Sequence, residues 1–399
     1  MRVKNIFILI SILQLTVYAT SAQVIKKKQL TVKDYGLWHY IYPNKLSSNG
    51  QWVSYSSKYS NQIGRDTLFL KNTKTFKVLS FPGGKQEDFI NDDWFLYYSD
   101  KGLNLIDLKK NQQEEVVNGI KHEYAPTTGK LLILVKGEKE NVLVIRNPNG
   151  SSSEQISGVL EFTVDPTKQV VLYTSVSNGN YTLNIFDLKD QAKKIVLCNG
   201  PGTFRDFAWH INGKAVAFIY RTANKNTVKN NIYYYTITDN KLHLFDAEQQ
   251  IGFPKDSLFI SDTGYKLKIS DDMKRVFFSV QAKPKSTLLV GASQVQLWNG
   301  NAKWVYPMEE MEKIGYGGTH LALWRPLEAT FMMVSNDSLP KFMLTGDQRY
   351  AILSNPKQYE PQYAYEGDRD FYLVDLSSGK SSLFLKKQFG NSGYTIPSP

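Results

Sequence analysis

Apolar and polar positions alternate along this chain in short paired runs, each pair announced by a polar turn. From Leu46 to Asn72, LSSNGQWVSYSSKYSNQIGRDTLFLKN, a turn at Ser47-Ser48-Asn49-Gly50 leads into an alternating run from Gln51 to Ser57 and then a second from Asp66 to Lys71. Two period-two runs joined by a short connection predict a β-hairpin. The same order recurs down the chain. Asn91-Asp92-Asp93 precedes WFLYYSD and GLNLIDLKK, Pro126 to Lys130 precedes LLILV and NVLVIRN, and Asp165 to Lys168 precedes QVVLYTS and YTLNIFDLKD. Asn212-Gly213-Lys214 opens AVAFIY and NIYYYTIT, Ser270-Asp271-Asp272 opens RVFFSV, and Thr345-Gly346-Asp347 opens YAILS and DFYLVDLSSGK.

The spacing clusters at roughly 35 to 50 residues with two wider gaps, a period that signals a propeller or solenoid. A weaker outer pair follows most strong hairpins, through KVLSF, EEVV, KKIVLC, LHLF and SLFLKK. Four strands per repeat make a propeller blade, and such a sheet must stack on neighbours to hide its faces. The expected fold is therefore all-β, a β-propeller of about seven to eight four-stranded blades. The chain stops at Ile396-Pro397-Ser398-Pro399, where another turn and strand would open, so the last blade is expected to be incomplete.

Three segments follow from this reading. Residues 1–22 carry Arg2 and Lys4, then the apolar run IFILISILQLTVYA, then Thr20-Ser21-Ala22, the order of a secretory signal peptide cut after Ala22. The apolar run is shorter than the roughly 20 residues of a spanning helix, and no other segment is long or apolar enough, so no membrane span is expected after signal removal. Residues 23–45 form an N-terminal segment with a short helix, in which Thr31 and Asp34 have capping spacing and Leu37 and Trp38 pack down beside His39. Residues 46–399 are the propeller, and export places it in the periplasm or outside the cell.

The formal charge of +11 raises the question of nucleic acid. Apart from Lys26-Lys27-Lys28 the cations are scattered through turns and strand ends, which reads as a solvated surface, and no nucleic-acid partner is expected. The single cysteine, Cys198, excludes an internal disulfide, and its place after the apolar KKIVL run reads as an inert packed thiol. The histidines 39, 122, 210, 243 and 320 are far apart and none has i, i+4 spacing, so no metal site is expected. Gly200-Pro201-Gly202 and Gly315-Tyr316-Gly317-Gly318 do not continue as dinucleotide fingerprints, and no cofactor is expected. Asp368 and Asp370 lack the alternating oxygens of a calcium loop and read as caps on DFYLVD.

Three stretches depart from the repeat. Arg221 to Asn231, RTANKNTVKNN, is a polar loop longer than a hairpin needs and reads as mobile. Asn355 to Asp368 gathers Tyr359, Tyr363 and Tyr365 beside Glu360 and Glu366. Exposed tyrosines beside carboxylates suit peptide recognition, and packing beneath their own loop accounts for them equally well. Pro307 to Lys313, PMEEMEK, is a short helical stretch that brings Glu309 and Glu310 after Trp304-Val305-Tyr306.

The opening LTVKDYGLWHY, the SSNGQWVSYS turn and strand with RDTLFLKN, and the later VQLWNGNAKWVYPMEE, THLALWRP and GDRDFYLVDLSSGK resemble the propeller of secreted bacterial serine peptidases of the prolyl-oligopeptidase family, dipeptidyl-peptidase-like members included. The resemblance covers nearly the whole chain after residue 22. It implies a propeller that precedes an α/β-hydrolase domain and restricts access to that domain's serine, aspartate and histidine. It also implies that paired glutamates after an aromatic strand hold a substrate's amino terminus, the place Glu309 and Glu310 would take, although the following IGYGGTHLALW departs from the family pattern.

A nucleophile elbow needs Gly-x-Ser-x-Gly. No two of the 27 glycines stand four residues apart, so the chain carries no catalytic residues of this type. The reading is a fragment that is itself inactive: the noncatalytic propeller of a secreted serine peptidase, gating peptide access to a hydrolase domain outside this chain. The alternative is a stand-alone propeller of the cell envelope acting as a binding or scaffold module. Oligomeric state is left open by the sequence.

Overall fold

The computed structural model describes residues 28–60, 66–190, 194–223, 228–261, 264–283, 301, 304, 307–308, 318–359 and 367–390. The signal peptide, Glu309, Glu310, Tyr363, Tyr365 and the C-terminal Pro397-Ser398-Pro399 lie outside the described residues. Among those described, the chain forms seven successive antiparallel sheets of up-and-down order, the strand plan of β-propeller blades. It divides into two compact units, Met1–Glu115 and Val116–Pro399.

The first unit holds two blades. A short 3-10 helix, Val32–Leu37, begins at Thr31, whose backbone N–H and hydroxyl both donate to Asp34 Oδ2 at 2.8 Å. Leu37 and Trp38 beyond it are more than half exposed instead of packed down. The first blade comprises His39–Leu46, Trp52–Tyr59, Thr67–Asn72 and Val78–Pro82, so its first strand takes in His39 to Lys45, which the repeat pattern leaves outside. The second comprises Lys85–Ile90, Trp94–Ser99, Gly102–Asp107 and Gln112–Val117. Leu68, Leu70, Trp52 and Phe81 of the first blade meet Phe95, Tyr97 and Ile106 of the second in one core.

Five blades follow in the second unit. The third runs from Gly119 to Ser157, the fourth from Val159 to Gly200, the fifth from Thr203 to Phe245, the sixth from Leu258 to Met333 and the seventh from Lys341 to Phe389. Within this unit alternation sends one face of each blade against the next. Phe162 and Tyr173 join the third to the fourth, Phe204 and Phe218 the fourth to the fifth, Phe245 and Trp324 the fifth to the sixth, and Phe277 and Leu353 the sixth to the seventh. In the sixth blade the first strand is split, with Leu258–Ile260 and Lys268–Ile269 pairing on different halves of Val276–Ala282.

All seven polar turns read from the sequence connect the first strand of a blade to its second. Each contains a left-handed residue, at Gly50, Asp92, Gly129, Lys168, Gly213, Met273 and Gln348. These turns also bond across blades. In the first unit Asn49 N donates to Asp92 Oδ1 at 3.1 Å. In the second, His210 Nε2 lies 3.1 Å from Asp271 O, Asp271 N donates to Gln348 Oε1 at 2.9 Å, and Arg275 Nη1 donates to Gln348 O at 2.7 Å. The expected weaker outer pair is a single fourth strand. The remaining strand is the first one, which precedes each turn and mixes charge with apolar residues, as in Lys85 to Asp88 and Lys121 to Glu123.

Candidate functional site

Up-and-down order places every connection between second and third strands at the end of its blade opposite the polar turns. In the second and fourth blades this connection is tight, from Ser99 to Gly102 and from Ser177 to Asn180. In the sixth and seventh blades it is long, from Ala282 to Thr319 and from Ser354 to Asp368, and two of the three departures from the repeat fall there; the other, Arg221 to Asn231, spans the short fifth-blade connection between Ala223 and Val228.

In the fifth blade the expected mobile loop is mostly ordered strand. Ala215–Ala223 and Val228–Thr236 form a long hairpin in which Arg221 pairs with Asn230 and Thr222 with Lys229, because the backbone ladder continues past the core and needs no apolar periodicity to do so. Asn230 is buried and its Nδ2 donates to Ile260 O of the sixth blade at 2.7 Å. Lys229 is fixed by Asp246 at 2.9 Å.

The sixth blade carries the longest connection, between Ala282 and Thr319. Immediately after it His320, 8 % exposed, places Nε2 at 3.0 Å from Asp337 Oδ1, while the buried Nδ1 has no hydrogen-bond partner among the described residues. The Asp337 carboxylate is itself exposed. One residue on, Ser338 O accepts a bond of 3.0 Å from Asn355 Nδ2 of the seventh blade. Two residues beyond Asn355, the Lys357 ammonium sits 4.6 Å from the centre of the Trp304 ring, a cation–π contact that ties the sixth-blade connection to the seventh.

Tyr359 is the tyrosine of the predicted recognition loop that the structure describes. Its hydroxyl donates to Asp370 Oδ1 at 2.9 Å. The same carboxylate accepts from Lys387 N at 2.8 Å and from Gln358 Nε2 at 2.7 Å, while Asp370 N donates back to Gln358 Oε1 at 3.0 Å. The Lys387 N–H, Tyr359 and Gln358 together hold the Asp370 carboxyl below its ordinary range, and the bond to Asp370 pushes the Tyr359 phenol up. The Lys387 ammonium lies 5.7 Å from the centre of the Tyr359 ring, so hydroxyl and ring both have partners within the protein. Asp370, expected as a strand cap, is the hub of this network.

The structure thus brings His320, Asp337, Asn355, Lys357 and Tyr359 to one end of two adjacent blades. Sequence reasoning missed His320 with Asp337, and the signal available was modest: a histidine opening THLALW directly after Gly317-Gly318 and an aspartate in a polar turn 17 residues later. Among the described residues no group of three or more histidine, cysteine or acidic side chains stands close enough to hold a metal ion. Nor is any helix among them long and apolar enough to cross a membrane.

No family model matches the chain, and no curated protein matches it in sequence. Solved structures do match. A eukaryotic initiation factor is 10 % identical with a TM-score of 0.43, over 86 % of this chain and 76 % of that one. The β-propeller domain of the Trilobed protease from Pyrococcus furiosus is 11 % identical with a TM-score of 0.35, over 88 % and 99 %. An acylaminoacyl peptidase from Pyrococcus horikoshii is 10 % identical with a TM-score of 0.34, over 89 % of this chain and 54 % of that one. At this level of similarity these likenesses carry no argument about activity.

Proposed function

We propose that this protein is the noncatalytic propeller of a secreted serine peptidase of prolyl-oligopeptidase type, which admits short peptides to a hydrolase domain and holds folded proteins out. The observation that supports the reading is the enlargement of the second-to-third connection on two consecutive blades, the sixth and seventh, at the end opposite the polar turns. Loops on a rigid β-scaffold are where binding groups are grafted. Here the sixth- and seventh-blade connections carry Tyr359 and, over the Trp304 ring, Lys357, and the link between the two blades carries the exposed Asp337 carboxylate, a set suited to the side chains and charged ends of a peptide. Glu309 and Glu310 fall within the sixth-blade connection and are assigned to the substrate's amino terminus.

The test is activity-based labelling in the producing cell. A phosphonate probe applied to exported protein should label a polypeptide whose tryptic peptides include Leu46–Lys58. A chain found by the same peptides that migrates alone, and is never labelled while other serine hydrolases are, would contradict the assignment.

A further inference from the structure

Seven asparagines in the chain are followed by glycine, and six of these pairs lie among the described residues, at Asn49, Asn118, Asn149, Asn178, Asn199 and Asn212. The fold treats one of them differently. In three pairs the asparagine closes a turn. Asn49 Oδ1 accepts from the Ser47 hydroxyl and from Gln51 N, each at 2.9 Å, while Gly50 N donates to Ser47 O. Asn149 Oδ1 accepts from Ser151 N at 3.1 Å and from the Ser151 hydroxyl at 2.7 Å, with Gly150 N donating to Asn147 O. Asn212 Oδ1 accepts from Lys214 N at 3.0 Å, with Gly213 N donating to His210 O. Two more pairs are held by strands. Gly119 is buried opposite Val135 at the start of the third blade, and Asn199 and Gly200 pair with Thr182 and Tyr181 in the fourth. Of the six, only Asn178 and Gly179 form a bare two-residue loop, between the paired Ser177 and Asn180, at φ +49° and +76°. Both residues are exposed, and a Cβ on Gly179 would meet nothing within 4 Å. Neither the Asn178 side chain nor the Gly179 N–H has a hydrogen-bond partner among the described residues.

We propose that Asn178 is a site of spontaneous covalent modification, at which the Gly179 nitrogen attacks the asparagine side chain and converts it to aspartate and isoaspartate. The Gly179 nitrogen bonds to Asn178 Cγ, the Cγ–Nδ2 bond breaks, and ammonia leaves with the proton that the Gly179 nitrogen gives up. Water then opens the five-membered imide. Opening at Cγ leaves aspartate, and opening at the Asn178 main-chain carbonyl leaves isoaspartate, whose backbone runs through Cβ. The sum is asparagine plus water giving an acidic residue plus ammonia, with no oxidant or reductant. Glycine permits the attack because no Cβ obstructs it and its backbone is free to turn the nitrogen toward Cγ. At a hairpin tip that motion requires local opening only, which lies at the low end of a structure's stability. At Asn49, Asn149 and Asn212 the attack must first break two or three hydrogen bonds, each a slowing of about two- to tenfold. The product places a new carboxylate on the fourth blade at the end opposite the polar turns. Isoaspartate also lengthens the loop by a methylene, which disturbs the closing pair of Ser177 and Asn180.

Peptide mapping by tandem mass spectrometry tests the assignment. The folded full chain is aged at mildly alkaline pH in water enriched in a heavy oxygen isotope, so that every conversion during ageing carries the label, and a second sample is aged unfolded in urea. In the folded chain Asn178 should convert about tenfold or more faster than Asn49, Asn149 or Asn212, and ahead of Asn118 and Asn199. In urea the six pairs should converge to within about threefold, because the local contacts that separate them are gone. Asn178→Gln, whose side chain is a methylene too long for the five-membered ring, should remove the fourth-blade product and leave the other pairs at their rates. An Asn178 that keeps its amide in the folded chain while the urea sample converts overturns the inference. So does a folded chain in which another of the six pairs leads, or a lead of Asn178 that persists unchanged in urea.

Discussion

Gly213→Ala isolates the way one polar turn seats against the next. Gly213 closes the turn of the fifth blade at φ +71°, and a Cβ there would overlap Asp165 Oδ2 of the fourth-blade turn and stand 3.3 Å from Thr167 Cγ2. The Asp165 carboxylate is fully buried and accepts from Thr167 N at 2.8 Å, Gln169 N at 2.7 Å, Val170 N at 2.6 Å and the Thr167 hydroxyl. Two costs follow. Left-handed backbone at a residue with a Cβ costs about 1–2 kcal/mol. Displacing the carboxylate weakens at least one charge-assisted bond worth about 1.5–3 kcal/mol. Together they predict a loss of about 3–5 kcal/mol, a large part of a net stability of about 5–15 kcal/mol. Gly252→Ala is the control, because Gly252 has φ +82° and open space within 4 Å of where a Cβ would stand, so it meets the backbone cost alone. Urea midpoints with unchanged slope, followed by tryptophan fluorescence, give both values. Equal losses for the two variants would refute the idea that Asp165 and Gly213 form a fitted inter-blade contact.

Three further outcomes are expected. Burial pushes the Cys198 thiol up to about 11, so at pH 8 it should react with iodoacetamide about a hundredfold more slowly than a free cysteine; a rate near that of an exposed thiol would contradict the packing. Asp370 has a folded-state pKa below the unfolded value, so its stabilisation is present above the ordinary carboxylate range and lost as pH falls through the depressed value. Asp370→Asn should therefore lower the urea midpoint at neutral pH by an amount that shrinks on acidification, and a constant difference would disprove the charge's role. In the peptidase proposed to contain this chain, Glu309→Gln with Glu310→Gln should lower kcat/KM for peptides with a free amino terminus by about tenfold or more and spare blocked ones; equal kinetics on both would remove the pair from the site.

The fold was legible where the chain repeats a physical necessity. Each first-to-second turn needs a left-handed residue and small polar partners, so Ser47 to Gly50, Asp165 to Lys168 and Asn212 to Lys214 stand out of the sequence. The second and third strands, packed on both faces, keep an unmistakable apolar run. First strands were missed because bulges and charged residues break their period, as at Gln86 and Asp206, both left-handed within a strand. Arg221 to Asn231 looked like a loop because hairpin ladders need backbone partners and not apolar side chains. At the candidate site, Tyr359 was singled out from composition as one of three loop tyrosines, but its bond to Asp370 joins residues 11 apart and His320 to Asp337 joins residues 17 apart across a blade. Such pairs are set by strand register, which local pattern does not reveal.

Whether peptides are received at the enlarged connections of the sixth and seventh blades can be tested by photo-crosslinking. A short peptide with a free amino terminus and a benzophenone side chain would be irradiated with the intact exported protein, and the adducts mapped by mass spectrometry. Adducts are predicted at His320, Asp337 to Ser338 and Asn355 to Tyr359, competed away by unlabelled peptide. Competed adducts at the polar-turn end instead, around Asp165 to Lys168, His210 to Gly213 and Thr345 to Gln348, would contradict peptide entry at the enlarged connections.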